Sequence, residues 1–558
     1  MSKEIVIRCL NLGGAYKKFP AGSSLLDILE ALDLKSKYPI MAAKVNNKVE
    51  PLGYRAYGNK TIEFIGLETS IGMRTYVRSL CFVMAKAVDN ILPKVQFNIE
   101  HPLSKGYFCK VWTEEPVTQE LVDKIKAKMR EYIKADLPFK AREEETDRVA
   151  ELFREVGNID KATLVETTGQ LYSQYYELDG YIDYYYGCLV PSTGYLDIFE
   201  LEILKDGLLL RIPNRNDPVK LEEYIPQPML YQAYKDQLDF LAVLGLDNVG
   251  DLNRAIANNQ ISDVIKVAEA LQERSIGKIA EDIVSKIEKD DVHIVLVSGP
   301  SSSGKTTFRM RMEVQLMINF IKPVGLSLDD YFVNRVDTPK DEKGDYDYES
   351  LYALDIKQFN EDLLRLLDGE EVHLPTYNFT TGEREYKEGK VLKLRKGDVL
   401  IIEGIHGLNP ELTASVPDSK KYKIYISALT AISLDNHNWI PAADNRLLRR
   451  MIRDYRYRNY SPMDTISRWP SVRAGEEKWI FPYQENADAV FNSAMIYELA
   501  ALRRYAEPIL ARVPNSAPEY AEAHRLLKFL SYFNYIQDRE LPPTSLLREF
   551  LGGSSFSY

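Results

Sequence analysis

The chain has 558 residues, more than one hydrophobic core usually serves, so we expect several domains. Hydrophobic residues make up 45% of it and charged residues 27%, as in ordinary water-soluble proteins. The 71 Lys and Arg residues against 82 Asp and Glu give a net charge of −11, which argues against nucleic acid as a partner.

The cysteines and the first residues bear on cellular location. The cysteines are scattered, contain no C-x-x-C pair and are typical of reduced thiols: Cys9, Cys81, Cys109 and Cys188. The start, MSKEIVIRCL, lacks the apolar core of a secretion signal, and no apolar run approaches the roughly 18 residues of a membrane helix. We therefore expect a cytoplasmic protein without membrane association, and the sequence leaves a homo-oligomer open.

Residues 1–67 have the pattern of a small β-grasp unit. Two alternating stretches, EIVIRCL and AYKKF, flank Gly13-Gly14 as in a hairpin. A helical stretch, LLDILEAL, follows Ser23 and Ser24, either of which is suited to cap it. The segments FPAGSSLLDIL, AAKVNN and IEFI resemble the TGS domain at the start of threonyl-tRNA synthetases.

Residues 68–219 resemble the second N-terminal, editing domain of the same synthetases. That family places its metal ligands in an H-x-x-x-H on a helix and in a later C-x-x-x-H. Alignment on Pro93 and on YYYGCLVP puts these ligands at Arg78, Phe82, Tyr185 and Leu189. Because Arg, Phe and Leu do not coordinate zinc, the resemblance implies an α+β binding or regulatory module without editing chemistry.

Residues 220–288 are predicted to form a helical connector. One apolar stripe recurs at helical spacing in SIGKIAEDIVSKI: Ile276, Ile279, Ala280, Ile283, Val284 and Ile287. Nothing in this stretch indicates chemistry, so we predict that it packs on its neighbours. At the other end, 516–558 is predicted as a helix followed by a polar tail, GGSSFSY, that we expect to be frayed.

The sequence that carries chemistry begins near Asp291. A continuous apolar run, HIVLVS, predicts a buried parallel strand, and a G-x-x-x-x-G-K-[ST] phosphate loop and a helical pattern follow it. The predicted ATP-binding residues are Gly299, Pro300, Ser301, Ser302, Ser303, Gly304, Lys305, Thr306 and Thr307. Lys305 is expected to reach the β- and γ-phosphates of ATP, and Thr306 to bind Mg²⁺.

Two further strands end in carboxylates. VGLSL leads to Asp329 and Asp330, both of which we expect to point into the site, where a carboxylate would accept a hydroxyl proton; solvated acids at a turn are the alternative. DVLIIEGIHGL carries Glu403 where phosphate-loop enzymes hold Mg²⁺, and a structural hydrogen-bond acceptor is the alternative there.

An arginine-rich helix is predicted over RLLRRMIRDYRYR. One of its faces carries arginines at i, i+3, i+4 and i+7, namely Arg446, Arg449, Arg450 and Arg453. Only Asp444 and Asp454 are close by in sequence. We therefore expect unneutralised guanidiniums that bind phosphate oxygens in a lid, rather than a solvated surface stripe.

Residues 289–515 carry GPSSSGKTT, SLDDYF, DYDYE, PTYNF, IIEGIHGL and RLLRRMIRD in this order. Together these motifs resemble the uridine kinase/phosphoribulokinase family of P-loop kinases. The resemblance implies a catalytic base at Asp329, and Lys305, Arg449 and Arg453 around the moving phosphoryl group. It implies an acceptor side formed by Asp347, Tyr377, Arg384 and Arg446.

One position departs from that family. Uridine kinases carry a histidine, which reads the pyrimidine edge, five residues after the tyrosine of the PTYNF motif. Gly382 stands there in this chain, so the resemblance does not extend to a pyrimidine preference.

The sequence thus predicts a multidomain protein. Its front half is a β-grasp unit with an α+β editing-like domain, and its C-terminal half is an α/β P-loop kinase with a parallel sheet flanked by helices. ATP and Mg²⁺ are the predicted cofactors, and a nucleoside 5′-hydroxyl is the predicted acceptor. The alternatives are a kinase acting on a sugar phosphate or a pantothenate-like alcohol, and an RNA-binding regulator whose phosphate loop senses nucleotide.

Overall fold

The computed structural model describes residues 3–341 and 344–558. The first unit is a mixed sheet in the order β2-β1-β7-β4-β5 with one helix packed on it. Its elements are β1 (Glu4–Cys9), β2 (Ala15–Pro20), β3 (Ser23–Ser24), α1 (Leu25–Leu32), β4 (Ile40–Val45), β5 (Lys48–Glu50), β6 (Arg55–Ala56) and β7 (Lys60–Gly66). Of the two predicted caps of α1, Ser24 is the one used: its hydroxyl accepts a hydrogen bond from the Asp27 N–H, and its own N–H donates to the Asp27 carboxylate.

The second unit has two antiparallel sheets, β13-β14-β9-β8 and β10-β11-β12. Its elements are α2 (Ser70–Ile91), β8 (Phe97–Leu103), β9 (Gly106–Val111), α3 (Gln119–Lys134), β10 (Lys140–Glu145), α4 (Thr146–Glu155), α5 (Ile159–Thr167), β11 (Tyr172–Leu178), β12 (Tyr181–Asp183), β13 (Glu200–Leu204) and β14 (Gly207–Arg211). Helix α2 is buried along most of its length, because the core of this unit forms around it.

The connector is helical, as predicted, and consists of α6 (Pro228–Leu244), α7 (Val249–Ala257) and α8 (Ile261–Asp290). Three residues of the predicted stripe, Ile276, Ala280 and Ile283, are fully buried in the core beneath the C-terminal sheet. None of the helices in the described part of the chain has the length and apolarity needed to cross a membrane.

The C-terminal unit is built on a five-stranded sheet in the order β16-β21-β15-β22-β23, in which all neighbours are parallel. Its elements are β15 (Ile294–Ser298), α9 (Lys305–Ile318), β16 (Lys322–Ser327), α10 (Ile356–Leu367), β17 (Val372–His373), β18 (Thr376–Asn378), β19 (Glu383–Glu385), β20 (Val391–Leu392), β21 (Asp398–Glu403), β22 (Lys421–Ser427), α11 (Ala442–Tyr457), α12 (Pro462–Trp479), β23 (Ala489–Asn492), α13 (Glu498–Leu510), α14 (Tyr520–Leu530) and α15 (Arg548–Leu551). The predicted fold class is confirmed.

The position of β15 in the sheet accounts for its continuous apolar sequence. β15 lies between β21 and β22, and every one of its residues is buried. A strand covered on both faces by helices has no solvated side, which is why it is a continuous apolar run without alternation.

The front and C-terminal halves share one hydrophobic core. Phe153 and Tyr184 of the front half belong to the same buried cluster as Leu448 and Phe529 of the C-terminal half. A fully buried ion pair also crosses between them, since the Lys161 ammonium lies 2.8 Å from an oxygen of Asp435. The sequence boundaries at 67, 219, 288 and 515 remain predictions.

A chain of charges joins α2 to α11. Arg74 of α2 pairs with Glu522 of α14 at 3.1 Å. Glu522 also accepts from Arg525, and Arg525 donates two hydrogen bonds, of 2.7 and 2.8 Å, to the carboxylate of Asp444 in the first turn of α11. The front half is therefore connected by charged side chains to the arginine-rich helix.

The C-terminal tail differs from the expectation of a frayed end. Leu546 and Phe550 are fully buried in the core beneath the parallel sheet, and the Ser555 N–H donates to the Pro543 carbonyl. The polar composition of the last residues concealed the apolar anchors just before them. Segment 545–558 consequently lies against the phosphate loop.

Candidate active site

The loop between β15 and α9 has the conformation that its two glycines allow. Gly304 has a φ of +87°, and a Cβ there would lie 2.6 Å from Leu546. A Cβ on Gly299 would lie 2.1 Å from the Ile426 carbonyl oxygen. The Lys305 ammonium folds back over the loop and donates to the carbonyls of Gly299 at 2.9 Å and Pro300 at 3.1 Å.

Thr306 and Glu403 are brought together as a metal site requires. The Thr306 hydroxyl donates to Oε1 of Glu403 at 3.0 Å, because β21 ends beside β15 and β16. The buried Oε2 of Glu403 has no hydrogen-bond partner among the residues that the structure describes. Burial raises the pKa of Glu403 to about 7. A hydroxyl and an orphaned carboxylate oxygen are ligands that fit Mg²⁺.

Asp329 lies in the short 3₁₀ turn Leu328–Tyr331 that follows β16. Restricted hydration raises the pKa of Asp329 against the attraction of Lys305 and Arg458, although the side chain keeps contact with solvent. The expectation that both acids point into the site is wrong for Asp330, whose carboxylate pairs with the Lys390 ammonium at 2.7 Å.

Four carboxylates surround the Lys305 ammonium. Burial lowers the pKa of Lys305, and four nearby carboxylates oppose that effect. In order of their influence they are Glu403, Asp329, Glu549 and Glu349. Two of them, Glu349 and Glu549, were not recognised in the sequence. A Lys surrounded by acids suits a site in which a divalent cation and a polyphosphate balance the charge.

The acceptor-side residues lie on the segments that follow β16. Asp347 accepts a hydrogen bond from the Glu349 N–H at 3.1 Å. Burial raises the pKa of Glu349 to about 7, and its Oε2 has no hydrogen-bond partner in the described part of the chain. Tyr377 and Arg384 face each other in the β18–β19 hairpin, where the Arg384 guanidinium pairs with Asp355 at 2.9 Å.

The expectation of unneutralised arginines on α11 is wrong. Arg446 pairs with Glu476, and Arg449 pairs with Glu498; all four side chains are buried. Arg450 and Arg453 share the carboxylate of Asp454. The sequence concealed these pairs because both glutamates come from later elements of the chain.

Three arginines of α11 donate hydrogen bonds to the phosphate loop. Arg446 donates to the Ser301 carbonyl at 3.1 Å, Arg449 to the Ser302 carbonyl at 3.4 Å, and Arg450 to the Ser301 hydroxyl at 2.9 Å. Arg446 and Arg449 are thus placed to hold the loop, away from the acceptor side and lid where the resemblance had put them. Arg453 remains half-buried and within electrostatic reach of Asp329.

Sequence reasoning missed Arg458, which follows the end of α11. Its guanidinium lies 5.7 Å from the ring centre of Phe379 and 3.6 Å from Asp454. The charge of the neighbouring Arg453 lowers the pKa of Arg458, whose side chain is 42% exposed, to about 10. Two cations held together in this way near Asp329 form a place where an anion is favoured.

The C-terminal segment contacts the phosphate loop directly. One oxygen of Glu549 accepts from the Thr307 hydroxyl at 2.6 Å and from the Thr307 N–H at 3.4 Å. The Tyr558 hydroxyl lies 2.9 Å from the same threonine hydroxyl. An N–H in the first turn of a helix is a natural partner for a phosphate oxygen, so Glu549 holds a place that an anionic ligand would take.

The editing-like unit has no comparable arrangement. The Arg78 guanidinium donates to the Cys188 carbonyl at 2.6 Å. The Phe82 ring packs against Tyr185 and Phe139 at centroid distances of 5.5 Å, and Leu189 is buried. Within residues 3–341 and 344–558, no group of three or more His, Cys, Asp or Glu side chains is arranged to hold a metal ion.

Comparison with known proteins assigns the two halves to different relatives. Residues 294–499 match the model of the "Phosphoribulokinase / Uridine kinase family". The front half is similar to threonine–tRNA ligases, with 25% identity over 224 residues to that of Desulforamulus reducens and 28% over 190 residues to ligase 1 of Bacillus subtilis. Both resemblances predicted from the motifs are confirmed.

The coverage of these matches is partial. The Desulforamulus alignment covers 38% of this chain and 35% of the ligase, and the Bacillus alignment covers 34% and 29%. The chain thus spans about a third of the length of the curated relatives it matches. Similar solved structures include a "Possible Uridine Kinase" from Bacillus stearothermophilus, with 20% identity, coverage of 39% and 97%, and a TM-score of 0.27. D-glycerate 3-kinase from Cryptococcus neoformans follows with 14% identity, coverage of 46% and 87%, and a TM-score of 0.22.

Proposed function

We propose that this protein is an ATP-dependent kinase that transfers a phosphoryl group to a small alcohol, foremost the 5′-hydroxyl of a nucleoside. The observation that carries the proposal is the convergence of Lys305, Asp329 and Glu403 at the carboxyl edge of the parallel sheet, beside the phosphate loop. The family match over residues 294–499 supports the same reaction class.

Each residue of the site has a separate role in the proposed phosphoryl transfer. The loop 299–307 offers backbone N–H groups to the phosphates, and the Lys305 ammonium exchanges its two carbonyl partners for phosphate oxygens. Thr306 and Glu403 would hold Mg²⁺, which offsets phosphate charge when bound. Asp329 takes the proton of the acceptor hydroxyl while the hydroxyl oxygen bonds to the γ-phosphorus. The bond between the γ-phosphorus and the oxygen that leaves with ADP breaks in the same transfer.

The phosphate loop is held in shape by α11. Arg446 and Arg449 fix the carbonyls of Ser301 and Ser302, which turns the loop N–H groups toward the phosphates. Arg453 and Arg458, nearer to Asp329, are placed to offset charge on the moving phosphoryl group. Positioning and electrostatics of this kind supply most of the rate in phosphoryl transfer.

The acceptor is tested by an ATP-consumption screen over nucleosides, pentose phosphates and pantothenate, run beside Lys305→Ala. We expect turnover with a nucleoside and none for the variant. Turnover with only a sugar phosphate or pantothenate would support a kinase activity but change the class of its acceptor. Equal turnover by wild type and Lys305→Ala would contradict the proposal.

A second candidate is an RNA-binding regulator, which the similarity of the front half to threonine–tRNA ligases favours. Filter binding of tRNA at moderate salt tests it. Tight retention that falls steeply with added salt would support this function. The net charge of −11 leads us to expect no retention.

A further inference from the structure

Arg335 lies against Gly382, the position at which this chain departs from the resembled uridine kinases. Gly382 has a φ of +78°, a region that side-chain-bearing residues rarely adopt. A Cβ built on Gly382 would lie 2.6 Å from both Cζ and Nε of Arg335. The glycine and the arginine are therefore complementary, and Arg335 fills the volume that a side chain at 382 would take.

Arg335 is held in place by backbone contacts that leave much of its guanidinium free. Its N–H donates to the Gly382 carbonyl at 2.8 Å, and Nη2 donates to the Phe379 carbonyl at 2.9 Å. A hydrogen bond to Tyr348 raises the pKa of Arg335. No ion pair joins it to a carboxylate in the described ranges, in contrast to Arg384, which pairs with Asp355. A guanidinium has five N–H donors, so several remain for a ligand.

The surroundings of Arg335 are formed by aromatic rings. The ring centres of Phe332 and Phe379 lie 5.4 and 5.1 Å from that of Tyr377, and Phe332 also lies 6.4 Å from Tyr348. Tyr377 is only 6% exposed, and burial raises the pKa of its hydroxyl while a hydrogen bond with Arg335 opposes that rise. The Arg335 guanidinium and the Tyr377 hydroxyl are therefore neighbours beside these rings, where a flat ligand ring would meet both.

Because it deepens the proposed nucleoside kinase activity, this inference rests on that proposal: we infer that Arg335 selects a 6-oxopurine nucleoside, such as guanosine or inosine, as the acceptor. Aromatic walls suit a flat ring, and a guanidinium fork pairs with the adjacent acceptors O6 and N7 of such a base. Adenine presents an N–H donor beside N7, and uracil has no two adjacent acceptors. Cytosine also has an adjacent acceptor pair, O2 and N3, so a preference for cytidine over inosine would overturn the inference.

The test is a specificity series with a matched control. We expect kcat/KM for inosine and guanosine to exceed that for uridine and adenosine at least tenfold, the low end for one bidentate base contact. Arg335→Lys keeps the charge but loses the fork, so the inosine-to-uridine ratio should fall about tenfold through KM, with kcat nearly unchanged. Arg365→Lys, on the exposed side of α10, should leave the ratio unaltered.

Calorimetric binding of inosine in the absence of ATP separates this inference from the kinase proposal. Wild type should bind inosine more tightly than uridine, and both Arg335→Lys and Tyr377→Phe should weaken inosine binding. Preference of wild type for uridine, or an unchanged ratio in Arg335→Lys, overturns the inference while the kinase stands. Turnover with sugar phosphates or pantothenate alone also overturns the inference about Arg335 while the kinase proposal stands. Inosine binding that depends on Arg335 without any turnover supports the recognition and overturns the activity.

Discussion

Helix α2 and the phosphate loop differ in what their side chains contact: the sequence predicts no metal ligands at the first, and ATP and Mg²⁺ at the second. At α2, Phe82 is surrounded by aromatic rings and Arg78 is satisfied by a backbone carbonyl. At the loop, the buried Oε2 of Glu403 lies 3.8 Å from the Arg309 guanidinium and has no hydrogen-bond partner among the described residues, and Lys305 donates to the loop carbonyls of Gly299 and Pro300. At α2 apolar packing fills the aligned ligand positions, although the buried Tyr185 hydroxyl has no hydrogen-bond partner among the described residues, whereas the loop brings together a hydroxyl and a carboxylate that suit a cation.

Replacing the predicted base is the sharpest test of the loop side of this comparison. Asp329→Asn removes the proton acceptor and should lower kcat by about 10²- to 10⁴-fold, the usual range for general-base catalysis. ATP binding, measured by calorimetry, should stay within about twofold, because Asp329 does not belong to the loop. Asp330→Asn is the neighbouring control, since that carboxylate pairs with Lys390. A kcat near the wild-type value for Asp329→Asn would remove it from this role.

Truncating a packed side chain on α2 should reduce the stability of the protein and leave its turnover unchanged. Phe82→Ala leaves a cavity among aromatic rings, so the free energy of unfolding should fall by about 3–5 kcal/mol in chemical denaturation. Turnover per folded molecule should be unchanged. Phe320→Ala is the control, because that ring is 97% exposed. Loss of turnover in a folded Phe82→Ala protein would show that α2 takes part in the reaction.

The pH dependence of metal binding probes the orphaned oxygen at the loop. The Glu403 carboxyl, with its pKa raised to about 7 by burial, must lose its proton to bind Mg²⁺. Below about pH 7 the apparent Mg²⁺ affinity in activity assays should fall about tenfold per pH unit, and above it the affinity should level off. Glu403→Gln should have a low affinity without this slope.

Folding responds to the same carboxyl with the opposite sign. Its pKa is higher in the folded than in the unfolded chain, so its contribution to stability is complete below the unfolded pKa and is lost as pH rises through about 7. Unfolding midpoints of wild type and Glu403→Gln should therefore diverge as pH rises from the unfolded pKa to about 7 and stay apart above it, in the absence of Mg²⁺, with the variant the more stable. Parallel midpoints at all pH values would contradict the burial of this charge.

The smallest effect is expected at the C-terminal segment. Glu549→Gln removes the negative charge that occupies the Thr307 N–H and hydroxyl, so ATP should bind about fivefold more tightly, on the order of 1 kcal/mol. Fluorescent-nucleotide titration measures this change. Glu540→Gln, beside Arg539 and away from the loop, is the control. Weaker ATP binding in Glu549→Gln would mean that the carboxylate assists the nucleotide.

Local patterns were sufficient for much of the molecule. The apolar run of β15 predicted a buried parallel strand, and the loop motif placed Lys305 and Thr306, because each of these features depends on residues adjacent in sequence. The partners of the arginines were not predictable in this way, since Glu476 lies 30 residues beyond Arg446. The contact of Glu549 with Thr307 spans 242 residues, and no sequence pattern signals it.

The alternating charges of Arg74, Glu522, Arg525 and Asp444 have a consequence for protein engineering. They fasten the first turn of α11 to helix α2. Grafting a zinc-binding editing module onto the C-terminal half of this chain therefore demands an arginine at the place of Arg74. Without that guanidinium, two acids would compete for Arg525 alone, and the anchorage of the loop-bracing helix would loosen far from any nucleotide.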